Sequence, residues 1–391
     1  MDPIRNPFAP GAGRRPPELA GRDADLSRFE VLLERAERGH CDRGIIHTGL
    51  RGVGKTVLLN EYRRAAEERD WIVAKIEAGA GRSFRQLAAQ ALGPPLRAAG
   101  SRFGIHRLGG LLAVFKAFTL QAAPDGSLAL GIDVTADPSR AATGDLEIDL
   151  TELLLDLGAA AAELGSGALL LIDEMQDLGG SEREAVAGAC HQLNQRNLPV
   201  VVVGAGLPNL PAALAEARSY AERLFEYRMV GALDPASARV ALTRPTQALG
   251  VRWRADALDT ILDVTQGYPY FLQVYGRMTW EYCTSNPIDI RGVTTGIKAA
   301  RYELDNGFYG SRWERATTRQ RDYLRAMAEI GGEEPVATKA VAEHLDSGPT
   351  KLSVPRDQLI RKGLLYAPER GLIGYTVPGM AEFILRQPEL T

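Results

Sequence analysis

One glycine-rich octapeptide constrains the fold of this chain more than any other segment. Residues 49–56 read Gly-Leu-Arg-Gly-Val-Gly-Lys-Thr, which fits the pattern G-x-x-x-x-G-K-[ST]. The apolar run at 44–48 predicts a strand before the loop, and the pattern of 57–69 predicts a helix after it. A glycine loop between a strand and a helix gathers backbone N–H groups and the positive end of the helix dipole around an anion. The segment therefore predicts a phosphate-binding loop in an α/β fold.

Side-chain chemistry assigns roles within this loop. Lys55 is expected to reach the β- and γ-phosphates of a nucleoside triphosphate, and the Thr56 hydroxyl to ligate Mg²⁺. The other residues expected to contact the nucleotide here are Gly49, Arg51, Gly52, Val53, Gly54 and Val57. The expected ligands are ATP and Mg²⁺, although the loop alone does not distinguish ATP from other nucleoside triphosphates.

Two adjacent carboxylates end a second apolar segment. Asp173 and Glu174 follow the run 168–172, which reads as a buried strand. Such a strand should not end in two carboxylates unless they face a cation. The pair predicts that Asp173 supports the Mg²⁺ ion and that Glu174 is the base that polarises the attacking water. A solvated strand end is the plain alternative.

Composition and charge exclude several classes of protein. The 391 residues are 45% hydrophobic and 24% charged, with a formal net charge of −3, as in an ordinary globular protein. This balance excludes a protein that coats nucleic acid over its whole surface, so any such contact is local. The three cysteines and five histidines lack ligand spacing, so no disulfide framework or zinc cage is expected. Without a signal-peptide or bilayer-spanning pattern, the expectation is a cytoplasmic protein that does not contact a membrane.

The order of strand and helix patterns predicts the architecture. Strands alternate with helices up to about residue 230, which predicts a parallel sheet covered by helices on both faces. Helical patterns alone follow, at 235–243, 256–265, 269–284 and 290–306. The predicted domains are an arm lying across the domain that follows it (1–17), a core (18–232), a helical lid (233–310) and a C-terminal domain (311–391).

An insert at about 100–147 interrupts the predicted core. Within it, residues 117–134 contain two alternating runs around Pro124-Asp125-Gly126, which predict a β-hairpin. Just before the insert, Gly93-Pro94-Pro95 is expected to shorten or kink the helix that begins at Ser83. The insert is expected either to contact a partner or to cover the edge of the sheet.

The last part of the chain carries a local basic cluster. Residues 315–391 predict three helices and two strands, a layout that resembles a winged helix-turn-helix. Contacts with duplex DNA are expected from side chains on or beside the third helix and at the wing tip, namely Lys351, Arg356, Arg361, Lys362 and Arg370. The segment holds nearly equal numbers of basic and acidic residues, so a protein partner remains the alternative.

Several short motifs together resemble one family. They are Gly21-Arg22-Asp23, the loop at 49–56, Asp173-Glu174, Gly204-Ala-Gly-Leu-Pro208 and Gly267-Tyr-Pro269. Over about residues 18–310 the chain resembles the AAA+-related ATPases, within them the branch joining origin-recognition-type and STAND signalling ATPases. The resemblance implies an α/β fold: a parallel-sheet P-loop NTPase core with an all-helical lid, here followed by the winged helix-turn-helix.

The resemblance also implies further site residues. Gly21 and Arg22 would lie near the adenine, and Gly267 and Pro269 would close over the nucleotide, unless Pro269 is an ordinary helix-start proline. Arg223 matches the position of an arginine finger that acts on a neighbouring subunit's nucleotide, which implies a homo-oligomer. An ordinary surface arginine is the alternative.

Two departures from the family pattern favour slow hydrolysis. The strand at 200–203 ends in Gly204-Ala-Gly206, where such ATPases carry a polar sensor, and Asn209 is the nearest amide. The lid has no arginine in the usual sensor turn, and Arg277 is the substitute candidate. The sequence therefore predicts an ATPase switch that acts on DNA. The alternatives are a signalling ATPase with a protein partner and a slow, nucleotide-gated scaffold.

Overall fold

The computed structural model describes residues 1–79, 81–122 and 134–388, and the chain divides into two compact units. The α/β unit comprises Asp23–Thr48 and Lys55–Met229. The helical unit comprises Met1–Arg22, Gly49–Gly54 and Val230–Thr391. The glycine-rich loop thus belongs to the helical unit, and the chain passes into the α/β unit between Gly54 and Lys55.

The α/β unit is built on a parallel five-stranded sheet with the strand order β2-β3-β4-β1-β5. Every residue of β3 and β4 is buried, which explains their nearly unbroken apolar sequences. The strands are β1 (Gly44–Thr48), β2 (Ile72–Glu77), β3 (Ala168–Asp173), β4 (Val200–Gly206) and β5 (Phe225–Met229). The predicted parallel-sheet core is confirmed.

Eight helices of this unit surround the sheet within the described part of the chain. They are α1 (Asp23–Glu37), α2 (Lys55–Glu68), α3 (Phe84–Phe103), α4 (Ile105–Ala122), α5 (Leu146–Glu163), α6 (Gly180–Arg196), α7 (Leu210–Ala217) and α8 (Ala221–Leu224). Aromatic and aliphatic side chains of α3, α4, α5 and α6 share one core with β2, β3 and β4. None of the described helices combines the length and apolar character needed to cross a bilayer.

The insert does not begin as the predicted hairpin. Residues up to Ala122 form α4, because Leu108, Leu112, Phe115 and Phe118 recur at helical spacing and are all buried. The first half of the hairpin predicted over 117–134 is therefore wrong. Its second half, residues 123–133, lies outside the described residues.

Helix α3 passes through the proline pair that was expected to shorten or kink it, so the expected shortening is wrong and the expected kink stays a prediction. Pro94 and Pro95 lie inside the helix, which ends only at Phe103. Each proline removes one backbone hydrogen bond. The flanking Leu92 and Leu96 are almost fully buried, and their burial offsets that loss.

After residue 229, the helical unit contains the helices that were predicted for a lid. These are α9 (Pro235–Gln247), α10 (Ala255–Thr265), α11 (Pro269–Tyr282) and α12 (Ile290–Glu303), followed by a π-helical turn (Leu304–Tyr309) and α13 (Gly310–Glu314). The observed bounds differ from the predicted ones by a few residues, because helix ends are the least determined part of a periodic pattern.

The N-terminal arm packs on α11. Phe8 is buried in the space left by Gly276, where a Cβ atom would lie 2.8 Å from the Phe8 ring. The Trp280 indole N–H donates to the carbonyl of Asp2 at 2.8 Å. The arm therefore contacts α11, and its expected position across the domain that follows it in sequence stays a prediction.

The end of the chain combines helices with a small antiparallel sheet of strand order β6-β8-β7. The elements are α14 (Thr318–Gly331), β6 (Val336–Ala337), α15 (Thr338–His344), α16 (Pro349–Arg361), β7 (Leu365–Tyr366), β8 (Leu372–Tyr375) and α17 (Met380–Leu385). The three predicted helices and two predicted strands are present. Strand β6 and helix α17 were not predicted, because each is too short to show a period.

Candidate nucleotide-binding site

The glycine-rich loop is held through its carbonyl groups. Three donors of the helical unit each bind one of three consecutive loop carbonyls. The bonds run from the Tyr268 hydroxyl to Arg51, from the Tyr270 N–H to Gly52 (3.2 Å) and from the Arg22 guanidinium to Val53 (3.1 Å). The loop conformation is therefore fixed by residues far away in sequence.

Holding the carbonyls also orients the loop N–H groups. In a trans peptide the N–H points opposite to the preceding C=O, so the N–H groups of Gly52, Val53 and Gly54 turn away from these donors. Gly52 and Gly54 have φ values of 92° and 98°, which side chains with a Cβ rarely adopt. Apart from Gly54 itself and its two chain neighbours, no described residue has an atom within 4 Å of a Cβ built on Gly54. The loop thus fits an anion-binding turn.

Arg22 and Gly21 lie beside this loop. Arg22 is only 9% exposed, and its guanidinium also donates to the carbonyl of Gly231 at 2.7 Å. Gly21 has a φ of 68°, and a Cβ there would lie 2.8 Å from the Ser237 side chain. In this structure Arg22 fastens the loop, and its expected place near the adenine stays a prediction.

The Gly267-Tyr-Pro269 turn reaches the loop through its aromatic residues. Gly267 has a φ of 67°, and a Cβ there would lie 2.4 Å from the carbonyl of Leu233. Pro269 begins α11, as expected of a helix-start proline. The loop contacts come from Tyr268 and Tyr270, which the sequence reasoning missed. The only available signal was an aromatic residue on each side of the proline.

The end of β8 supplies another contact with the loop. The N–H of Arg51 donates to the carbonyl of Thr376 at 2.9 Å. A Cβ built on Gly363 would lie 3.2 Å from the Arg51 guanidinium, so a side chain there would have to displace the guanidinium by a few tenths of an ångström. Nothing in the local sequence signals this contact, because main-chain groups of distant residues make it.

The predicted cationic and acidic residues of the site lie in the α/β unit. Lys55 is the first residue of α2 and is 9% exposed, and Thr56 beside it is half-buried. Asp173 is buried at the end of β3, and its carboxylate lies 4.0 Å from the Lys75 ammonium. The buried carboxylate thus does face a cation, Lys75, which the sequence reasoning missed.

Lys75 is itself held in place. Its ammonium donates to the Asn60 side chain at 2.7 Å. Burial lowers the pKa of Lys75, although the negative charge of Asp173 acts in the opposite direction. In the described part of the chain, no group of three or more His, Cys, Asp and Glu side chains is placed to hold a metal ion.

Glu174 adopts an unusual backbone conformation directly after β3. Its φ of 51° and ψ of 38° lie in the left-handed region, which non-glycine residues rarely occupy. Its carboxylate accepts a hydrogen bond from the Gln176 side-chain amide at 2.6 Å. Such conformations often occur at functional sites, where the surrounding structure imposes them.

The candidate sensor and finger residues have different surroundings. Arg223 is exposed on α8, as an arginine that reaches a neighbouring subunit has to be. Arg277 forms an ion pair with Glu303 and lies 3.9 Å from Glu281. Asn209 precedes α7, and its Oδ1 atom is buried without a hydrogen-bond partner among the described residues.

The residues predicted to contact DNA divide into two groups. The Lys362 ammonium donates to the Arg315 carbonyl at 2.6 Å and to Gln320 at 2.7 Å, and Arg356 pairs with Asp357 at 2.9 Å. These two side chains thus bind groups of the same chain. The side chains that remain exposed are those of Lys351, Arg361 and Arg370.

Comparison with known proteins agrees with this geometry. Residues 18–203 match the family model described as an AAA ATPase domain. Residues 306–384 match a model described as a domain of unknown function (DUF8462). This part of the chain, with its parallel sheet and glycine-rich loop, is similar to P-loop ATPase domains of the AAA+ class. Among curated protein sequences, none matches the chain significantly.

Three solved structures are similar to this chain, and the one with the highest TM-score among them supports the same fold. The Walker-type ATPase PABY2304 of Pyrococcus abyssi is 16% identical and superimposes with a TM-score of 0.61, over 94% of this chain and 96% of that one. The Aeropyrum pernix ORC1 protein in complex with DNA is 15% identical (TM-score 0.49; 94% and 92% covered). The Thermotoga maritima RuvB Holliday junction branch migration motor is 17% identical (TM-score 0.44; 95% and 97% covered). At such identities the likeness to PABY2304 concerns the fold alone.

Proposed function

We propose that this protein is an ATPase switch in which the glycine-rich loop couples ATP to the helical unit. The observation that carries the proposal is the set of hydrogen bonds to the main chain of the loop. Tyr268 and Tyr270 at the start of α11, and Thr376 after β8, bind consecutive loop peptides. A ligand that reorients those peptides must alter these bonds, and through them the lid and the C-terminal domain.

In this proposal, residues at the start of α2 and the end of β3 bind the phosphates and Mg²⁺ and support hydrolysis. Lys55 binds the β- and γ-phosphates, while Thr56 and Asp173 hold Mg²⁺ together with water and phosphate oxygens. The bound ion neutralises charge that develops on the transferred phosphoryl group. Glu174 orients the attacking water and accepts its proton.

Two substitutions test the nucleotide chemistry. Lys55→Ala is expected to abolish ATP binding, because the loop loses the charge that faces the phosphates. Glu174→Gln is expected to keep ATP bound and to abolish steady-state turnover, leaving only the slow residual hydrolysis that single-turnover experiments detect. Binding is measured with a fluorescent ATP analogue and turnover by phosphate release. Normal ATP affinity in Lys55→Ala, or normal turnover in Glu174→Gln, contradicts the assignment of that residue.

For the target of the switch, we propose a local contact with duplex DNA through a winged helix formed by α14–α17 and β6–β8. Exposed Lys351, Arg361 and Arg370 supply the phosphate contacts. With three contacts, the slope of log affinity against log salt is about −2.7. Replacing all three residues with alanine should remove the salt-sensitive binding. Lys339→Ala is the matched control, because Lys339 is exposed and pairs with Glu343.

A protein partner is the second candidate target. It is favoured by the internal contacts of Lys362 and Arg356, which reduce the basic surface available to DNA. The same titration separates the two candidates. Salt-insensitive or absent DNA binding would leave a signalling ATPase whose C-terminal domain binds a protein.

The proposal also includes assembly into a homo-oligomer, in which Arg223 is the residue that acts on a neighbouring subunit. An exposed arginine on α8 is suited to stabilise phosphoryl charge on a neighbouring copy of this chain. The ATPase rate per subunit should then rise with protein concentration, and Arg223→Ala should remove that rise. A rate per subunit that is independent of concentration would make Arg223 an ordinary surface residue.

A further inference from the structure

Gln176 connects two segments of the α/β unit that are distant in sequence. It lies in the 3-10 turn Met175–Asp177 that follows β3. Its Nε2 atom donates to Glu174 Oε2 at 2.6 Å, and its Oε1 atom accepts from the N–H of Leu207 at 3.1 Å. We propose that Gln176 is a positioning residue that fixes the Glu174 carboxylate relative to the end of β4. The inference rests on the proposed role of Glu174 as the base.

The sequence at the end of β4 leaves room for this amide. A Cβ built on Gly206 would lie 2.9 Å from Gln176 Oε1, which is tighter than ordinary van der Waals contact. A Cβ on Gly204 would lie 2.6 Å from the sulfur of Met175, the residue before Gln176. A side chain at either position would therefore crowd the turn that carries Gln176, and glycine at both positions leaves space for it. The strand end has no polar side chain of its own from 204 to 206, and the amide of Gln176 supplies one there.

The backbone of Glu174 is already fixed, so its side chain is what needs positioning. The Glu174 N–H donates to Asp173 Oδ1 at 3.0 Å, and the Glu174 carbonyl accepts from the Asp177 N–H at 2.9 Å. A glutamate side chain keeps three rotatable bonds beyond this backbone. A hydrogen bond from an amide to a carboxylate is charge-assisted and directional, so it selects one orientation. A general base needs such an orientation, because a displacement of 1 Å lowers the rate by as much as about a hundredfold.

The test is single-turnover ATP hydrolysis by the full chain, with enzyme in excess so that slow rates are measurable. Gln176→Ala is expected to lower the maximal rate by about tenfold to a hundredfold and to leave half-saturation within about twofold. Gln176→Glu keeps an acceptor for the Leu207 N–H, but it replaces the donor with a like charge. It should therefore be at least as slow as Gln176→Ala. In the Glu174→Gln background, Gln176→Ala should cause little further loss, because both substitutions remove the same interaction.

The matched control is Gln195→Ala. It removes an exposed glutamine amide on α6 that is hydrogen-bonded to His191. It should change neither rate nor half-saturation. Thermal unfolding of each variant separates a positioning defect from a folding defect. A normal maximal rate in Gln176→Ala, a normal rate in Gln176→Glu, or a full additional loss in the Glu174→Gln background overturns the inference. If Glu174→Gln itself hydrolyses ATP normally, the proposed function fails as well, and the two failures are thus distinguishable.

Discussion

At the scale of single residues, two buried charges of the α/β unit form an ion pair with each other. Asp149 is fully buried near the start of α5, and its carboxylate lies 2.8 Å from the guanidinium of Arg85, itself 8% exposed. The backbone and hydroxyl of Thr143 both donate to the same carboxylate, at 2.9 and 2.8 Å. This cluster joins α3 to the segment that leads into α5.

Removal of this carboxylate is expected to destabilise the protein strongly. Asp149→Ala leaves the buried Arg85 charge unpaired and should lower the free energy of unfolding by about 3–5 kcal/mol. Urea unfolding at pH 7 measures the change. Glu67→Ala is the control, because its pair with Arg63 is about half-exposed and contributes about 0–1 kcal/mol. Equal losses in the two variants would contradict the expectation.

The same cluster predicts a pH dependence. Burial raises the pKa of Asp149, but the hydrogen bonds from Thr143 and the charge of Arg85 outweigh it and hold the pKa below its ordinary value. A lowered folded-state pKa adds stability above the unfolded-state pKa, about 3.9, and that stability is lost as pH falls through the folded-state pKa. The difference between wild type and Asp149→Ala should therefore shrink below about pH 4.

Single residues also show how far the sequence predicts the site. Lys55, Thr56 and Asp173 can be proposed from the sequence, because the motif and the acidic strand end are local patterns with a chemical reason, and their roles stay predictions. Tyr268 and Gln176 cannot be proposed in this way, because their partners at Arg51 and Leu207 lie far away along the chain. Periodicity indicates which face of an element is buried, but it does not identify the polar group that the face meets.

At the scale of elements, the sequence predicted the sheet and the lid helices but not α4. The strands were recognisable because a two-faced buried strand is apolar throughout. The segment 117–122 contains alternating apolar residues and was read as a strand, although its apolar positions also continue the helical spacing of 105–116. Short segments satisfy both periods, and burial against α3 and α5 decides the outcome.

The junction between α10 and α11 gives a prediction at this scale. Gly267→Ala would place a Cβ 2.4 Å from the Leu233 carbonyl in a left-handed backbone, which should destabilise the helical unit by more than about 2 kcal/mol. Gly250→Ala is the matched control. Its φ is 75°, but apart from Gly250 and its two chain neighbours no described residue has an atom within 4 Å of a Cβ built there, so only the backbone strain of about 1 kcal/mol applies. Thermal unfolding of the two variants should differ, and equal melting temperatures would contradict the steric argument.

At the scale of the whole molecule, the division of the chain was the least predictable feature. Gly49–Gly54 groups with the arm and with residues after 229, while Lys55 and Thr56 group with the sheet. A sequence motif is contiguous, so it gives no hint that its two halves belong to different compact units. The grouping follows from the bonds that Arg22, Tyr268 and Thr376 make with the loop.

This division leads to a prediction about ligand-linked stability. A nucleotide that binds the whole motif 49–56 should stabilise both units, because it adds its binding free energy to the folded form of each. With ATP and Mg²⁺ at 100 times Kd, the slowest-exchanging amides of β3 and of α11 should both exchange up to about a hundredfold more slowly. Hydrogen exchange followed by mass spectrometry measures the two segments in one sample. Lys55→Ala should show no slowing in either segment. Slowing confined to β3 would mean that the nucleotide stabilises the α/β unit alone without engaging Gly49–Gly54, which would contradict the proposed coupling through the loop.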